Sequence, residues 1–325
     1  MTTGATNRRI VVVGAGLSGL VAARELAAAG HDVIVLDKGR GVGGRLATRR
    51  IGTARLDHGA QFFTVRSDAF AEMARPWIAA DIVFEWCRGF SPVGDGYPRY
   101  AVRDGMSALA KHLAAGIDVR CNTLVFMVRR TTTGWDVVLD DGNIITTDDL
   151  VVTCPLPQAF SLLVDAQIEL PEALWRTEYD RTIALLAVLD RASAVPLPGG
   201  VQHVAGDGAQ PGYTFIGDNQ TKGISATAAL TMHTDPAWSD ANWDGDADTV
   251  HATLREAAAP WLGDATIIDS QVKRWRFATP RTIWPEPCWR DPAGATLVVA
   301  GDAFAGPRVE GAALSGLAAA QALLQ

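Results

Sequence analysis

The sequence predicts an α/β fold: a parallel-sheet nucleotide-binding domain carrying an inserted domain built on a mixed or antiparallel sheet. Three observations predict it. Residues Arg9–Asp37 read as strand, glycine-rich turn, helix and strand in succession. Near the C-terminus a strand at Thr296–Ala300 runs into Gly301 and Asp302 and then into a helix of small residues. Between these ends, from Gln158 to about Trp284, the pattern changes to a run of strand candidates.

The first stretch is RIVVVGAGLSGLVAARELAAAGHDVIVLD. Ile10–Val13 is an apolar run of the kind found in buried parallel strands. It ends at Gly14, Gly16 and Gly19, spaced G-x-G-x-x-G. Leu17, Leu20, Val21 and Leu26 line one side of the helix that follows, with small alanines on the other. Gly30 stops that helix, because glycine accepts the left-handed conformation at a helix end. Val33–Leu36 is the second strand, and Asp37 ends it. Gly14 permits the tight turn, Gly16 lets backbone approach a pyrophosphate, and Gly19 lets helix and strand pack closely. The anion then sits on the free amides and positive end of the helix. Asp37 lies roughly 20 residues beyond, where an acid takes ribose hydroxyls. Strand, helix, strand and terminal acid in this order make a Rossmann-type dinucleotide site the reading, over a purely structural glycine turn.

Gly41, Gly43 and Gly44 then form a loop that can approach a ligand closely, and Arg45 either contacts phosphate or is simply solvated. Asp57 to Ala60 form a small polar turn, followed by Gln61, Phe62, Phe63 and a strand to Val65. Gln61 can hydrogen-bond a ligand ring; His58 reads more readily as structural than as catalytic. Ser67 caps a helix starting near Asp68. Trp77 to Arg99 is rich in turns and aromatics that either line a pocket or pack a core. Arg103–Gly116 reads as a helix, Val119–Val128 as a strand, and Trp135–Leu139 with Asn143–Thr146 as a hairpin around Asp140-Asp141-Gly142. Asp149–Thr153 returns to the first sheet. In the insert, Ile183–Leu189, Tyr213–Ile216, Ile224–Met232 and Ile267–Phe277 are strands and His251–Leu262 is helical. Trp238, Trp243, Trp275 and Trp284 fall here, as core residues or as the wall of a substrate site.

Bulk properties narrow the partners. With 325 residues, 48% hydrophobic and 20% charged, the chain has the composition of a soluble globular protein of one large or two intimate domains. A net charge of −7 argues against nucleic acid as a partner. Cys87, Cys121, Cys154 and Cys288 are widely spaced, with no C-x-x-C and no metal pattern; reduced thiols are the plain reading, a disulfide or catalytic thiol the alternative. No apolar segment reaches the roughly 18 residues of a membrane span, and the polar start MTTGATNRR is no signal peptide, so a cytoplasmic protein is expected.

At the C-terminus, Arg308, Val309, Glu310 and Gly311 enter a second helix whose N-terminus also points at the ligand. A flavin has a use for it. Two-electron reduction leaves negative charge near N1 and C2=O, which a helix dipole stabilises.

Taken together, GAGLSG with Asp37, GVGGR, LDHGAQFF, GDAF and RVEGAALSG resemble the flavin-dependent amine oxidase superfamily. Within it the chain looks like the renalase family, especially its bacterial members, on the strength of LDHGAQFFTVR, RWRFATP and RVEGAALSG. The resemblance covers nearly the whole chain and is strongest at its ends.

The resemblance implies a two-domain fold of the amine oxidase and p-hydroxybenzoate hydroxylase type with FAD bound non-covalently. The FAD-binding domain would be residues 1–75, 101–157 and 285–325, and the substrate domain 76–100 and 158–284. Gly14, Ala15, Gly16, Leu17, Ser18 and Gly19 would hold the pyrophosphate, and Asp37 with Lys38 the adenosine ribose. Gly44 and Arg45 would lie at the phosphates, and Val125 would contact adenine through backbone. Gly59, Ala60 and Gln61, flanked by His58 and Phe62, would face the flavin ring. Gly301 and Asp302 would bind the ribityl–phosphate region. Arg308, Val309 and Glu310 would lead into Gly311 and Ala312 near N1. No metal is implied.

Bacterial renalases are expected to oxidise 2- or 6-dihydro isomers of NAD(P)H to NAD(P)+ and to pass the electrons to O2, giving hydrogen peroxide. A dihydropyridine that gives a hydride to flavin N5 becomes aromatic, so no general base is required. Arg276, Arg281 and Arg308 would supply positive charge for the substrate's pyrophosphate, with Trp275 and Phe277 as stacking surfaces. Lys273 is the candidate for the lysine–water bridge that many amine oxidases place near N5. Two rivals stand beside this expectation: an amine oxidase or desaturase with an apolar pocket, and a non-catalytic flavin-binding or redox-sensing protein.

Overall fold

The computed structural model describes residues 7–90, 94–166, 168–207, 210–294 and 296–325. The polar start at 1–6, and 91–93 within the turn-rich stretch, lie outside these. The chain opens with β1 (Arg9–Val13), α1 (Leu17–Ala28) and β2 (Asp32–Leu36), then a hairpin, β3 (Thr48–Ile51) and β4 (Ala54–Asp57). Next come α2 (Asp68–Ala79), β5 (Val83–Cys87), β6 (Arg99–Val102), α3 (Ser107–Ala114) and β7 (Asp118–Arg120). Four strands follow: β8 (Val125–Arg130), β9 (Trp135–Leu139), β10 (Ile144–Thr147) and β11 (Asp149–Val152). Helices α4 (Leu156–Leu163) and α5 (Glu172–Trp175) lead to β12 (Tyr179–Leu189), β13 (Gly200–Val204), β14 (Tyr213–Asp218) and β15 (Ala229–Thr234). The last elements are α6 (Pro236–Ala241), α7 (Ala247–Ala257), α8 (Ala259–Leu262), β16 (Ile267–Pro280), β17 (Trp289–Arg290), β18 (Leu297–Val299) and α9 (Val309–Leu324).

The chain forms two compact units. The first contains 1–44, 110–178 and 280–325. Its sheet runs β17-β18-β11-β1-β2-β7 and is parallel except at β17. Ile10, Val11 and Val12 are fully buried at its centre, as the apolar run requires. Helices α1 and α9 pack so closely that a Cβ on Gly316 would stand 2.2 Å from the Ser18 carbonyl oxygen. The strand expected over Val119–Val128 is two strands: β7 joins the parallel sheet, β8 an antiparallel sheet with β9 and β10. Asn122 breaks it by turning left-handed, φ 52°, as the amides of Asn122 and Thr123 bond back to the carbonyls of Gly39 and Asp37.

The second unit contains 45–109 and 179–279. Its sheet runs β13-β14-β15-β12-β16. Side chains alternate across it. Ile183, Leu185, Ala187 and Leu189 of β12 pack with Trp238, Val250 and Leu254 of the helices, while Leu186 and Val188 meet Ile51, Ala54 and Leu56 of the β3–β4 hairpin. The expected ligand-binding division differs from this packing division at four segments: 45–75 and 101–109 belong to the second unit, because the hairpin buries its apolar side on this sheet, and 158–178 and 280–284 belong to the first. The helix expected from Arg103 starts only at Ser107, since Asp104 and Gly105 are left-handed, at φ 65° and 93°. The strand expected after Gln61 reduces to one bridge, Phe63 to Tyr100. The strand expected from Ile224 starts at Ala229, because the amides of Ile224 and Ser225 turn back to the Asn219 carbonyl. Among the described residues no helix is long and apolar enough to cross a membrane.

Candidate functional site

In the first unit, β1 ends at Gly14, whose φ of 109° admits the turn. Gly16 is the N-cap of α1 and provides no side-chain cap, and the first turn holds no acidic residue. Nothing lies within 4 Å of where a Gly16 Cβ would stand. Open space thus adjoins the unpaired amides of a helix N-terminus, which is a cradle for an anion. Gly19 is a packing glycine: a Cβ there would be 2.0 Å from the Gly14 carbonyl oxygen. The Gly43 amide donates to the Ala15 carbonyl (2.8 Å), which lays the glycine loop, Gly44 included, along the turn.

Asp37 accepts from Ala15 N at 2.7 Å and from Gly39 N at 2.6 Å. Each carboxylate oxygen keeps acceptor capacity for a hydroxyl. Lys38 beside it is exposed, and Val125 is buried at the start of β8. The turn, the open cradle and the half-buried carboxylate fit the dinucleotide part of FAD.

The second helix start stands beside the first. Ser18 Oγ donates to the Ala312 carbonyl at 2.5 Å, and Gly301 N donates to Ser315 Oγ at 2.8 Å. Arg308 is the N-cap of α9, with Val309 and Glu310 in its first turn. Gly311 lies against Gly306, whose carbonyl oxygen would be 2.2 Å from an added Cβ. Asp302 is half-buried near this end. Arg281 instead forms an exposed ion pair with Glu178 at 3.3 Å.

In the second unit, Gly59 must be glycine, since a Cβ would stand 2.0 Å from the Arg45 carbonyl oxygen, which accepts from Ala60 N at 2.9 Å. The Arg45 guanidinium donates to the carbonyls of Phe277 (3.2 Å) and Ala278 (3.3 Å), a use the sequence did not disclose. Asp57 is the centre of the segment. One of its oxygens accepts from Lys222 Nζ at 2.7 Å, the other from Thr48 Oγ1 at 2.6 Å and Met106 N at 2.8 Å. Both ion-pair side chains are 0% exposed. Burial pulls the pKa of the Lys222 ammonium down, against the opposing pull of Asp57.

The His58 carbonyl accepts from Trp275 Nε1 at 2.6 Å and from His233 Nε2 at 3.1 Å, and its ring stacks on Trp275 with centroids 5.3 Å apart. Burial, then the charge of Lys273, lowers the His58 pKa to about 4; burial likewise lowers His233 to about 4. Phe62 joins Trp86, Phe90 and Phe215 in an aromatic cluster with centroids 5.0 to 6.4 Å apart.

Strand alternation divides β16. Gln271 meets Arg49, and Trp275 meets His58, on the hairpin face. Ser270 meets His251, Arg274 meets the Gly245 carbonyl, and Val272 packs with the helix-side core, all on the opposite face. Arg276 shares the register of Arg274, so the expected joint surface of Arg276 and Trp275 is corrected: they stand on opposite faces. Lys273 and Phe277 share the register of Trp275. Lys222 lies 165 residues from Asp57, and no local sequence signal joins them.

The four cysteines are free, and burial raises the pKa of each thiol, that of Cys154 to about 12. Raised thiols are poor nucleophiles. Among the described residues no cluster of ligating side chains could hold a metal ion.

Both histidines stay neutral in the folded state, whereas the unfolded chain takes up their protons near pH 6.5. The unfolded state therefore binds more protons below that pH, and stability is expected to fall between about pH 6.5 and about pH 4. The shift corresponds to about 3 kcal/mol per histidine. Urea unfolding at pH 7.5 and 4.5 measures it; His233→Asn should shrink the difference, and an unchanged difference would refute the assignment to His233.

The fold is that of a two-domain flavoprotein: one unit carries a glycine-turn dinucleotide cradle with a second helix start beside it, and the other is built on an antiparallel sheet. The chain belongs to the flavin containing amine oxidoreductase family, whose model matches residues 77–324, while that of the NAD(P)-binding Rossmann-like domain matches 12–76. FAD is its cofactor. It is 45% identical over 65 residues to AofH of Mycobacterium tuberculosis (strain ATCC 25618 / H37Rv), assigned as a flavin-containing monoamine oxidase. That match covers 20% of this chain and 14% of AofH. It is 52% identical over 50 residues to the L-amino-acid oxidase of Sistrurus catenatus edwardsii, covering 15% of this chain and 10% of that protein. The matched segments are thus small fractions of these relatives' length.

Two solved structures share the whole fold. One, from Exiguobacterium sp. 255-15 and assigned as a protoporphyrinogen oxidase, has TM-score 0.76 at 14% identity, covering 99% of this chain and 100% of that one. The other, putrescine oxidase bound to putrescine, has TM-score 0.72 at 16% identity, covering 98% and 99%.

Proposed function

We propose that this flavoprotein oxidises 2- or 6-dihydro isomers of NAD(P)H to NAD(P)+, with O2 as electron acceptor and hydrogen peroxide as product. FAD, when bound, supplies the hydride acceptor and the reactivity towards O2. The observation that carries the reading is the state of the buried ionisable groups on the hairpin face of the second unit. His58 and His233 are neutral with pKa values of about 4, and Lys222 is bound to Asp57. A general base works best with a pKa near the working pH, and these groups are not so placed. A dihydropyridine loses only a hydride and gains aromaticity, so it needs none. The Phe62, Trp86, Phe90 and Phe215 cluster on the same face offers a surface for a planar ring.

Residues of the first unit assigned to the cofactor are Gly14–Gly19, Asp37, Lys38, Gly44, Val125, Gly301, Asp302 and Arg308–Ala312. In the second unit, Arg45 and the His58–Phe62 segment are assigned to it, non-covalently. The structural likeness to putrescine oxidase supports a second reading, oxidation of a small amine.

The deciding experiment mixes the purified holoprotein anaerobically with borohydride-reduced NAD+, which contains the isomers, and with pure 4-dihydro NADH. Rapid bleaching of the flavin by the isomers alone, then recovery with peroxide on admitting air, is expected. Bleaching by putrescine or another amine instead would establish the second reading. A flavin that no donor bleaches would leave a binding protein.

A further inference from the structure

We propose that Arg49 is a specificity-determining residue: its guanidinium, with Lys273 on the facing strand, binds a phosphate of the dinucleotide substrate on the hairpin face of the second unit. This deepens the function proposed above and rests on it. Arg49 lies opposite Leu56 in the β3–β4 hairpin, and Ile51 lies opposite Ala54. Residues paired in this way point to the same side, as do residues two apart on one strand. Arg49 thus stands on the side whose other members, Ile51, Ala54 and Leu56, are buried against Leu186 and Val188. A charge on the packed side of a hairpin carries a desolvation cost and is usually met by a carboxylate, as Arg55 is met by Asp104. Arg49 has no carboxylate partner among the described residues. Its Nε donates instead to the neutral Gln271 Oε1 of β16 at 3.1 Å. That bond fixes the head group and uses one of its five N–H donors. The donors on the two terminal nitrogens have no partner among the described residues and are not enclosed, so a solute reaches them.

The neighbours are those of an anion site. Gln271, Lys273 and Trp275 share the face of β16 turned to the hairpin. Lys273 and Arg49 both act as positive charges on the His58 ring, which stacks on Trp275, and no carboxylate among the described residues opposes them there. Asp57, next to His58, is held by Lys222. Asp269, the acid in the register of Lys273, stands four residues away, about 13 Å along the strand. In a chain of net charge −7 this local excess of cations is suited to an anionic ligand. The terminal N–H pair of a guanidinium matches two oxygens of one phosphate. The pyrophosphate of the cofactor is assigned to the α1 cradle of the first unit, so a second anion site serves a second phosphate-bearing molecule. A dinucleotide substrate brings a pyrophosphate, whereas an amine brings the opposite charge.

The test uses holoenzyme and two electron donors with the same reacting ring: the dihydro isomers of NAD and those of nicotinamide riboside, which has no phosphate. The readout is the ratio of their kcat/KM values, dinucleotide over riboside, so that changes in ring reactivity or in the flavin cancel. Arg49→Gln is expected to lower the ratio at least about tenfold, the scale of a hydrogen bond to a charged group. Arg49→Lys, which keeps the charge, should recover part of the loss. Added salt should lower the wild-type ratio and leave that of Arg49→Gln nearly flat. An unchanged ratio, including one left by an equal fall with both donors, overturns the inference while the function stands. So does a fall in FAD affinity by fluorescence titration without a changed ratio, which places Arg49 on the cofactor. Should Arg49→Gln not fold, a wild-type ratio that is insensitive to salt and unchanged in Arg49→Lys overturns it equally. If neither donor bleaches the flavin, the function reading falls, and calorimetry with ADP-ribose judges the phosphate site by itself. Binding to the holoprotein that weakens about tenfold in Arg49→Gln upholds the site; absent or unchanged binding removes it.

Discussion

Lys222→Met is expected to destabilise the protein by about 3–5 kcal/mol, the cost of leaving a buried charge without its partner. The Asp57 carboxylate has no access to water, and its other contacts, Thr48 Oγ1 and Met106 N, cannot neutralise it. The damage should spread, because the same residue organises the segment after it: the Asp57 carbonyl accepts from Gln61 Nε2 and from Thr231 Oγ1 at 2.8 Å. Urea denaturation of holoprotein gives the number. Adding Asp57→Asn to Lys222→Met should restore a good part of the loss, since the stranded charge disappears. A single variant within about 1 kcal/mol of wild type would show that the pair is not the dry interaction its geometry describes.

Gly16→Val should separate cofactor binding from folding. The backbone at Gly16, φ −74° and ψ 179°, suits any residue, and no heavy atom stands within 4 Å of the new Cβ. The new Cβ therefore enters the open space beside the α1 N-terminus, the position proposed for the pyrophosphate. FAD affinity should fall about 100-fold, equivalent to about 2.7 kcal/mol. Fold stability should change by no more than about 1 kcal/mol, the scale of an N-cap substitution. Gly19→Ala should behave the other way. Its methyl would fall 2.0 Å from the Gly14 carbonyl oxygen, forcing backbone apart and destabilising the apoprotein by about 1–3 kcal/mol or more. Flavin fluorescence titration and urea unfolding of both variants measure these outcomes. Unimpaired FAD binding by Gly16→Val would remove the cradle from the cofactor site.

Much of the first unit was legible because its signals are local. The Gly14–Gly19 turn, the helix stop at Gly30 and the acid at Asp37 are set by chain geometry within a few residues of each. The apolar run expected over Asp149–Thr153 to return to the first sheet forms β11, which pairs with β1 in parallel. The second unit was legible as strands but not as surfaces. Whether Arg276 or Trp275 meets the ligand side depends on which face of β16 the α6–α8 helices cover, and a period of two does not say which face is which.

By itself, then, the sequence determined a dinucleotide-binding α/β unit, an antiparallel-sheet insert and the residues of the glycine turn, since spacing and period are properties of adjacent residues. The tertiary structure alone decided that Lys222 neutralises Asp57 and that β3–β4 packs on the insert's sheet. It alone decided that the Arg49 guanidinium, on the packed side of that hairpin, meets the neutral Gln271. Those outcomes depend on burial and on contacts between residues far apart in the chain, and no local pattern encodes either.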